Sequence, residues 1–182
     1  MKHVVLAGVL ALLIAERADA AVVTVGQGFA RDCYEAAARE RSDLPALELC
    51  NNAIEEDFLT RYNRSATLIN RGIIYLYRGQ YVEALADFDA AIAADPNLAE
   101  GYTHRGVALL ARNDYRGAIE ALDRGLALEP EEPAKAYFNR AIAHEELGEI
   151  PAAYHDYRRA AELDPDWRPA RRELARFRVE SR

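Results

Sequence analysis

Apolar and polar positions alternate along most of this chain with the 3.6-residue period of amphipathic helices, interrupted at regular intervals by turn residues. Leu68, Ile69, Ile73, Tyr75 and Leu76 fall at helical spacing, and a stop follows at Gly79. A second stretch carries Ala84, Phe88 and Ala91 at i, i+4, i+7 and ends at Asp95-Pro96. Proline cannot continue a helix and disfavours it one residue earlier. The same two-helix statement is then repeated. Gly72, Gly106 and Ala141 correspond, as do Ala84, Ala118 and Ala153, and Pro96, Pro130 and Pro165. Phe88, Leu122 and Tyr157 share another column. The internal stops are Gly79, Asn113 and Gly148, from the two residue types that accept the left-handed conformation ending a helix. The spacing is 34 and then 35, because Pro133 is one extra residue.

The pattern predicts helical hairpins over 65–98, 99–132 and 134–167. Folding each about its stop brings Gly72 opposite Ala84, Gly106 opposite Ala118 and Ala141 opposite Ala153. Small facing small would let the helix axes approach near the short end of the ~8–10 Å range.

Residues 27–60 read as a fourth, degenerate hairpin, with helices over Arg31–Arg39 and Leu44–Asp57. Ala46, Cys50 and Ala53 occupy the columns of Ala84, Phe88 and Ala91, but Tyr34 stands where the others have a small residue. Arg61–Arg64 reads as a short polar insert. Beyond the last hairpin, Ala170, Leu174 and Phe177 make an apolar stripe, so 168–178 is expected to be a helix capping the exposed end of the stack. The expectation is all-α, about nine helices, in one domain over 21–182.

Cys33 and Cys50 are the only cysteines. The turn of the degenerate hairpin falls at Arg41-Ser42-Asp43, midway between them, and Pro45 suits the first turn of the following helix. Folding about that turn places the two opposite each other, and a disulfide between them is expected.

These columns resemble the tetratricopeptide repeat, a 34-residue helix–turn–helix unit. Tyr102 and Tyr137 match its first aromatic position, where Leu68 departs from it; Arg71, Arg105 and Arg140 stand where Leu is usual. The resemblance implies a right-handed α-solenoid whose first helices line a concave groove. It places Asn70, His104 and Asn139 on a polar rung, with Ile73, Val107, Ile142, Lys135 and Phe138 beside them. An amide donates and accepts at once, so such a rung suits a peptide backbone. Some members of the family clamp a carboxy-terminal carboxylate with Lys, Asn, Asn, Lys and Arg. The matching residues are Ile69, Ile73, His104, Lys135 and Asn139, and only Lys135 keeps the charge, so that clamp is not expected.

The amino-terminal end reads as an address. Met1-Lys2-His3 is a basic start, Val4–Ala15 is an apolar run, and Ala18-Asp19-Ala20 offers small residues for cleavage. This is the pattern of a secretory signal peptide over 1–20, shorter than a membrane span. The expectation is an exported bacterial protein, periplasmic rather than secreted, with no transmembrane span after cleavage. Such a compartment would favour the disulfide.

The formal net charge of −7 argues against nucleic-acid binding. No phosphate-cradling Gly-rich loop, Gly-x-Ser-x-Gly or Cys-x-x-Cys occurs, and His144-Glu145-Glu146-Leu147 lacks the second histidine of a metal helix. No catalytic residue, metal or cofactor is expected; the partner is a protein or peptide. The chain therefore reads as an interaction scaffold binding a peptide segment. The alternative is a structural subunit of an envelope complex, acting through oligomerisation or its basic end, where 168–182 holds six Arg and two Glu.

Overall fold

The computed structural model describes residues 28–56 and 58–177. The expected signal peptide over 1–20 lies outside them, as does the end of the basic tail. Among the described residues there are nine α-helices and no strand, an all-α fold of successive helical hairpins. None of these helices is long and apolar enough to cross a membrane.

The chain divides into two compact units, one ending at Asp95 and the other beginning at Pro96, where the sequence reading expects a single domain. The first unit holds α1 (Phe29–Ala38), α2 (Leu44–Glu56), α3 (Arg61–Tyr77) and α4 (Tyr81–Ala94). Here α1 packs on α2 and α3, α2 on α3, and α3 on α4. The second unit holds α5 (Ala99–Ala111), α6 (Tyr115–Ala127), α7 (Pro133–Glu146), α8 (Ile150–Leu163) and α9 (Arg168–Leu174). Its helices pack in sequence, and α5 also reaches α7.

Local chemistry sets these boundaries. Gly79 and Gly148 take φ of 72° and 75°, and Asn113 takes 61°, so all three sequence stops turn left-handed. Asp114 caps α6 by accepting the Gly117 N–H at 3.0 Å. Some boundaries differ from the sequence reading. Arg61–Arg64 is the first turn of α3, because Thr60 Oγ1 accepts the Asn63 N–H at 3.2 Å and starts the helix there. At the other end α9 stops at Leu174, short of the helix expected to 178, although Phe177 still packs on Tyr154 and Tyr157 with ring centroids 5.8 and 5.7 Å apart.

The close approach inside each hairpin is also different in detail. A Cβ built on Gly72 would meet the Phe88 ring at 2.5 Å, and one on Gly106 would meet Leu122 Cγ at 2.6 Å. The nearest neighbour of each glycine is thus the large residue of the second helix. The facing alanine is also close at Gly106, where the Ala118 carbonyl oxygen lies 3.3 Å from that Cβ. The missing side chain is space that the ring or leucine fills. Gly106→Leu is expected to lower stability by about 1–3 kcal/mol or more through overpacking. A thermal melt unchanged by the substitution would contradict this packing.

In the degenerate hairpin the close contact moves to the cysteines. Cys33 and Cys50 are fully buried and stand at disulfide distance, Sγ to Sγ 2.12 Å and Cα to Cα 4.7 Å. Tyr34, in the column where the other hairpins have Gly or Ala, is only half-buried.

Candidate functional site

The candidate groove positions lie on α3 in the first unit and on α5 and α7 in the second. They divide sharply by access. On α3, Asn70 is 1% exposed and Ile73 is also buried. Asn70 therefore does not offer its amide to solvent as the sequence reading expects. The cause is α3 itself, which is buried on almost every face and packs against α1, α2 and α4. The Asn70 Nδ2 has no hydrogen-bond partner among the described residues, a cost of about 1–3 kcal/mol for a donor taken out of water.

In the second unit Phe138 and Ile142 are buried as well. Phe138 is covered by Tyr157 and Trp167, with ring centroids at 5.3 and 4.8 Å. These four side chains serve as core. His104, Val107, Lys135 and Asn139 keep access; each is half-buried, and all four stand on α5 and α7.

The chemistry of this remaining surface is polar and nearly neutral. Burial lowers the His104 pKa to about 4, helped by the positive charge of Lys135, so the imidazole is neutral at ordinary pH. A neutral imidazole donates at one nitrogen and accepts at the other. Lys135 Nζ pairs with Glu132 Oε1 at 2.6 Å. The Asn139 amide makes no hydrogen bond among the described residues. Just upstream, Glu100 on α5 accepts the Glu131 N–H at 3.2 Å and ties the loop before α7 to α5.

The strongest polar contacts are ones that sequence reasoning passed over. Arg71 holds Asp87 with both arms, Nε to Oδ2 2.8 Å and Nη2 to Oδ1 2.7 Å, and reaches Asn51 at 2.8 Å. Arg140 repeats the bidentate pair with Asp156, at 2.7 and 2.9 Å, and adds Asp123. Each pair joins the two helices of one hairpin. The signal was present: an Asp stands 16 residues after the Arg in both hairpins, while Ala121 fills that place after Arg105. Hydrogen bonding to Asp156 holds the Arg140 guanidinium above its ordinary pKa, against the opposing effect of burial.

Asp156 also draws two histidines. His155 Nδ1 lies 3.4 Å from it and His144 Nε2 4.0 Å, while His144 Nδ1 meets Glu149 at 2.6 Å. Arg140 already occupies that carboxylate. Among the described residues no group of three or more His, Cys, Asp or Glu is arranged to hold a metal ion. At the basic end, Arg172 pairs with Glu173, and Arg176 with Glu173 and Glu145, whereas Arg168 and Arg171 are exposed without a described ion pair.

The family model described as the tetratricopeptide repeat matches residues 65–98 and 134–166. Superkiller complex protein 3 of Homo sapiens is 31% identical over 102 residues, 56% of this chain and 6% of that protein. The Hsp70-Hsp90 organizing protein of Triticum aestivum is 34% identical over 113 residues, 62% of this chain and 17% of that protein. The chain thus spans a small fraction of the length of either relative. Among solved structures, the first tetratricopeptide domain of Spaghetti (RPAP3), bound to the HSP90 peptide SRMEEVD, matches with a TM-score of 0.59 and 28% identity. That match covers 62% of this chain and 88% of that one. Repeated hairpins, left-handed stops at the expected residues and the family match agree: this chain carries tetratricopeptide repeats.

Proposed function

We propose that this chain is a non-catalytic interaction scaffold that holds an extended peptide segment against α5 and α7 of its second unit. The observation that carries this reading is the pairing of a neutral His104 imidazole with an Asn139 amide that has no hydrogen bond among the described residues. Both donate and accept, which is what a peptide backbone requires. The likeness to a tetratricopeptide domain solved with a bound peptide supports it. Val107, half-buried one turn beyond His104, supplies apolar contact.

The chain is proposed to act after export to the periplasm. The signal-like pattern over 1–20 supports export, and so does the buried cysteine pair at disulfide distance. A structural role through the basic end is a second reading, favoured by the exposed guanidinium groups of Arg168 and Arg171.

Asn139→Ala tests the first reading. Losing one or two hydrogen bonds should weaken binding of the natural partner, captured by crosslinking in the intact cell envelope, by about 0.5–3 kcal/mol. Stability should hardly move, since the amide has no described partner to lose. Partner affinity unchanged in Asn139→Ala and in His104→Ala would rule the site out.

A further inference from the structure

The one cation at the clamp columns, Lys135, is occupied by its own chain. Glu132 is the residue immediately before α7, and its side chain does not cap that helix. It reaches forward to the Lys135 ammonium at 2.6 Å, with both side chains 30% exposed. The backbone beneath it is fixed from two directions. The Glu132 carbonyl accepts the N–H groups of Lys135 at 3.2 Å and Ala136 at 3.4 Å. The neighbouring Glu131 N–H is held by the buried Glu100 carboxylate. The acidic group is thus set at the rim of the site by the local fold. Glu131, exposed beside it, adds like charge.

Resting on the peptide-site reading above, we propose that Glu132 is a specificity-determining residue that makes the second unit select carboxylate-free, extended segments and exclude acidic carboxy-termini. An incoming carboxylate meets an ammonium already neutralised at contact distance and a second carboxylate on the rim. To reach Lys135 it must displace Glu132, and like charges brought together oppose it. The neutral His104 imidazole and the Asn139 amide are uncharged hydrogen-bonding groups and take peptide amides equally well from the interior of a chain. The specificity is then the reverse of that expected from a clamp that reads a terminal carboxylate with free cations.

The test uses two isosteric probes on the full chain: the heptapeptide SRMEEVD with its free carboxylate, and SRMQQVN carrying a carboxy-terminal amide. Titration calorimetry on the parent protein should show tighter binding of the amide. Glu132→Gln, which keeps the shape and removes the charge, should raise affinity for SRMEEVD about tenfold and leave the amide within about twofold. Parent protein that binds both probes equally, or a preference that Glu132→Gln does not narrow, overturns the inference and leaves the peptide site standing. If neither protein binds either probe, the peptide site fails and the inference falls with it. Circular dichroism of the variant should match the parent, because an exposed ion pair of this kind contributes little to folding.

Discussion

Replacing Arg140 with leucine is expected to destabilise the second unit by about 3–5 kcal/mol, the largest effect of any single substitution outside the apolar core. Asp156 is 2% exposed and has both carboxylate oxygens engaged by Arg140. Removing the guanidinium leaves a buried charge facing, among the described residues, His155 at 3.4 Å and His144 at 4.0 Å. Neither matches a bidentate pair in geometry. Because the pair joins α7 to α8, its loss should loosen the hairpin, and Asp123 loses its partner as well. The control is the double variant Arg140→Leu/Asp156→Leu. Replacing both partners by apolar groups removes the unpaired charge and should recover most of the loss. Urea unfolding of parent, both single variants and the double would measure the coupling. A single-variant loss below about 1 kcal/mol, or a double variant no better than the singles, would show that the pair does not hold the hairpin.

Opening the Cys33–Cys50 bridge carries the second large effect. The two residues are 17 apart in sequence. Closing a loop of that size in the unfolded chain contributes about 3 kcal/mol. The first hairpin has little to set against its loss. Helix α1 is 10 residues long, and the side chains it buries are Ala30, Cys33, Ala36 and Ala37. Alanine-sized side chains remove little apolar area from water, and a helix this short does not persist alone. Cys33→Ala/Cys50→Ala should therefore lower the melting temperature markedly. Reductant should do the same to the parent once unfolding exposes the bridge. Mass spectrometry of protein purified without reductant should find the pair joined. Two freely alkylated cysteines in folded protein, or a double variant as stable as the parent, would remove the bridge from this account.

Much of the architecture was legible because it is written in backbone chemistry. Gly79, Asn113 and Gly148 accept the left-handed conformation that ends a helix, and Pro96, Pro130 and Pro165 cannot continue one. The cysteine pair could be placed from chain geometry, since a hairpin brings positions equidistant from its turn together. What could not be read depends on neighbours in space. Nothing in the local pattern distinguishes Asn70 from Asn139, since both occupy the same repeat column. One is buried on a helix enclosed by three others, and the other keeps partial access to solvent. Arg61–Arg64 reads as a polar insert by its charge, and the Thr60 cap makes it the first turn of α3 instead. Folding about the stop brings the small residues together, but the space beside a glycine goes first to the large side chain able to reach it, Phe88 or Leu122. The Arg–Asp pairs demanded a second-order pattern, one residue type following another at a fixed interval across a turn.

A helix of seven residues does not persist by itself in water, and α9 is that length. The contacts of the residues on either side of it therefore set how long it stays formed. Trp167 before it rests on Phe138, and after it Phe177 rests on Tyr154 and Tyr157 and Arg176 on Glu145. Every one of these partners belongs to α7 or α8. The last hairpin can lose α9 and remain a hairpin, but α9 cannot outlive the hairpin. Local opening in the second unit is thus ordered: the amides of α9 exchange with solvent at a free energy no greater than those of α7 and α8, and fraying of this end proceeds inward from the cap.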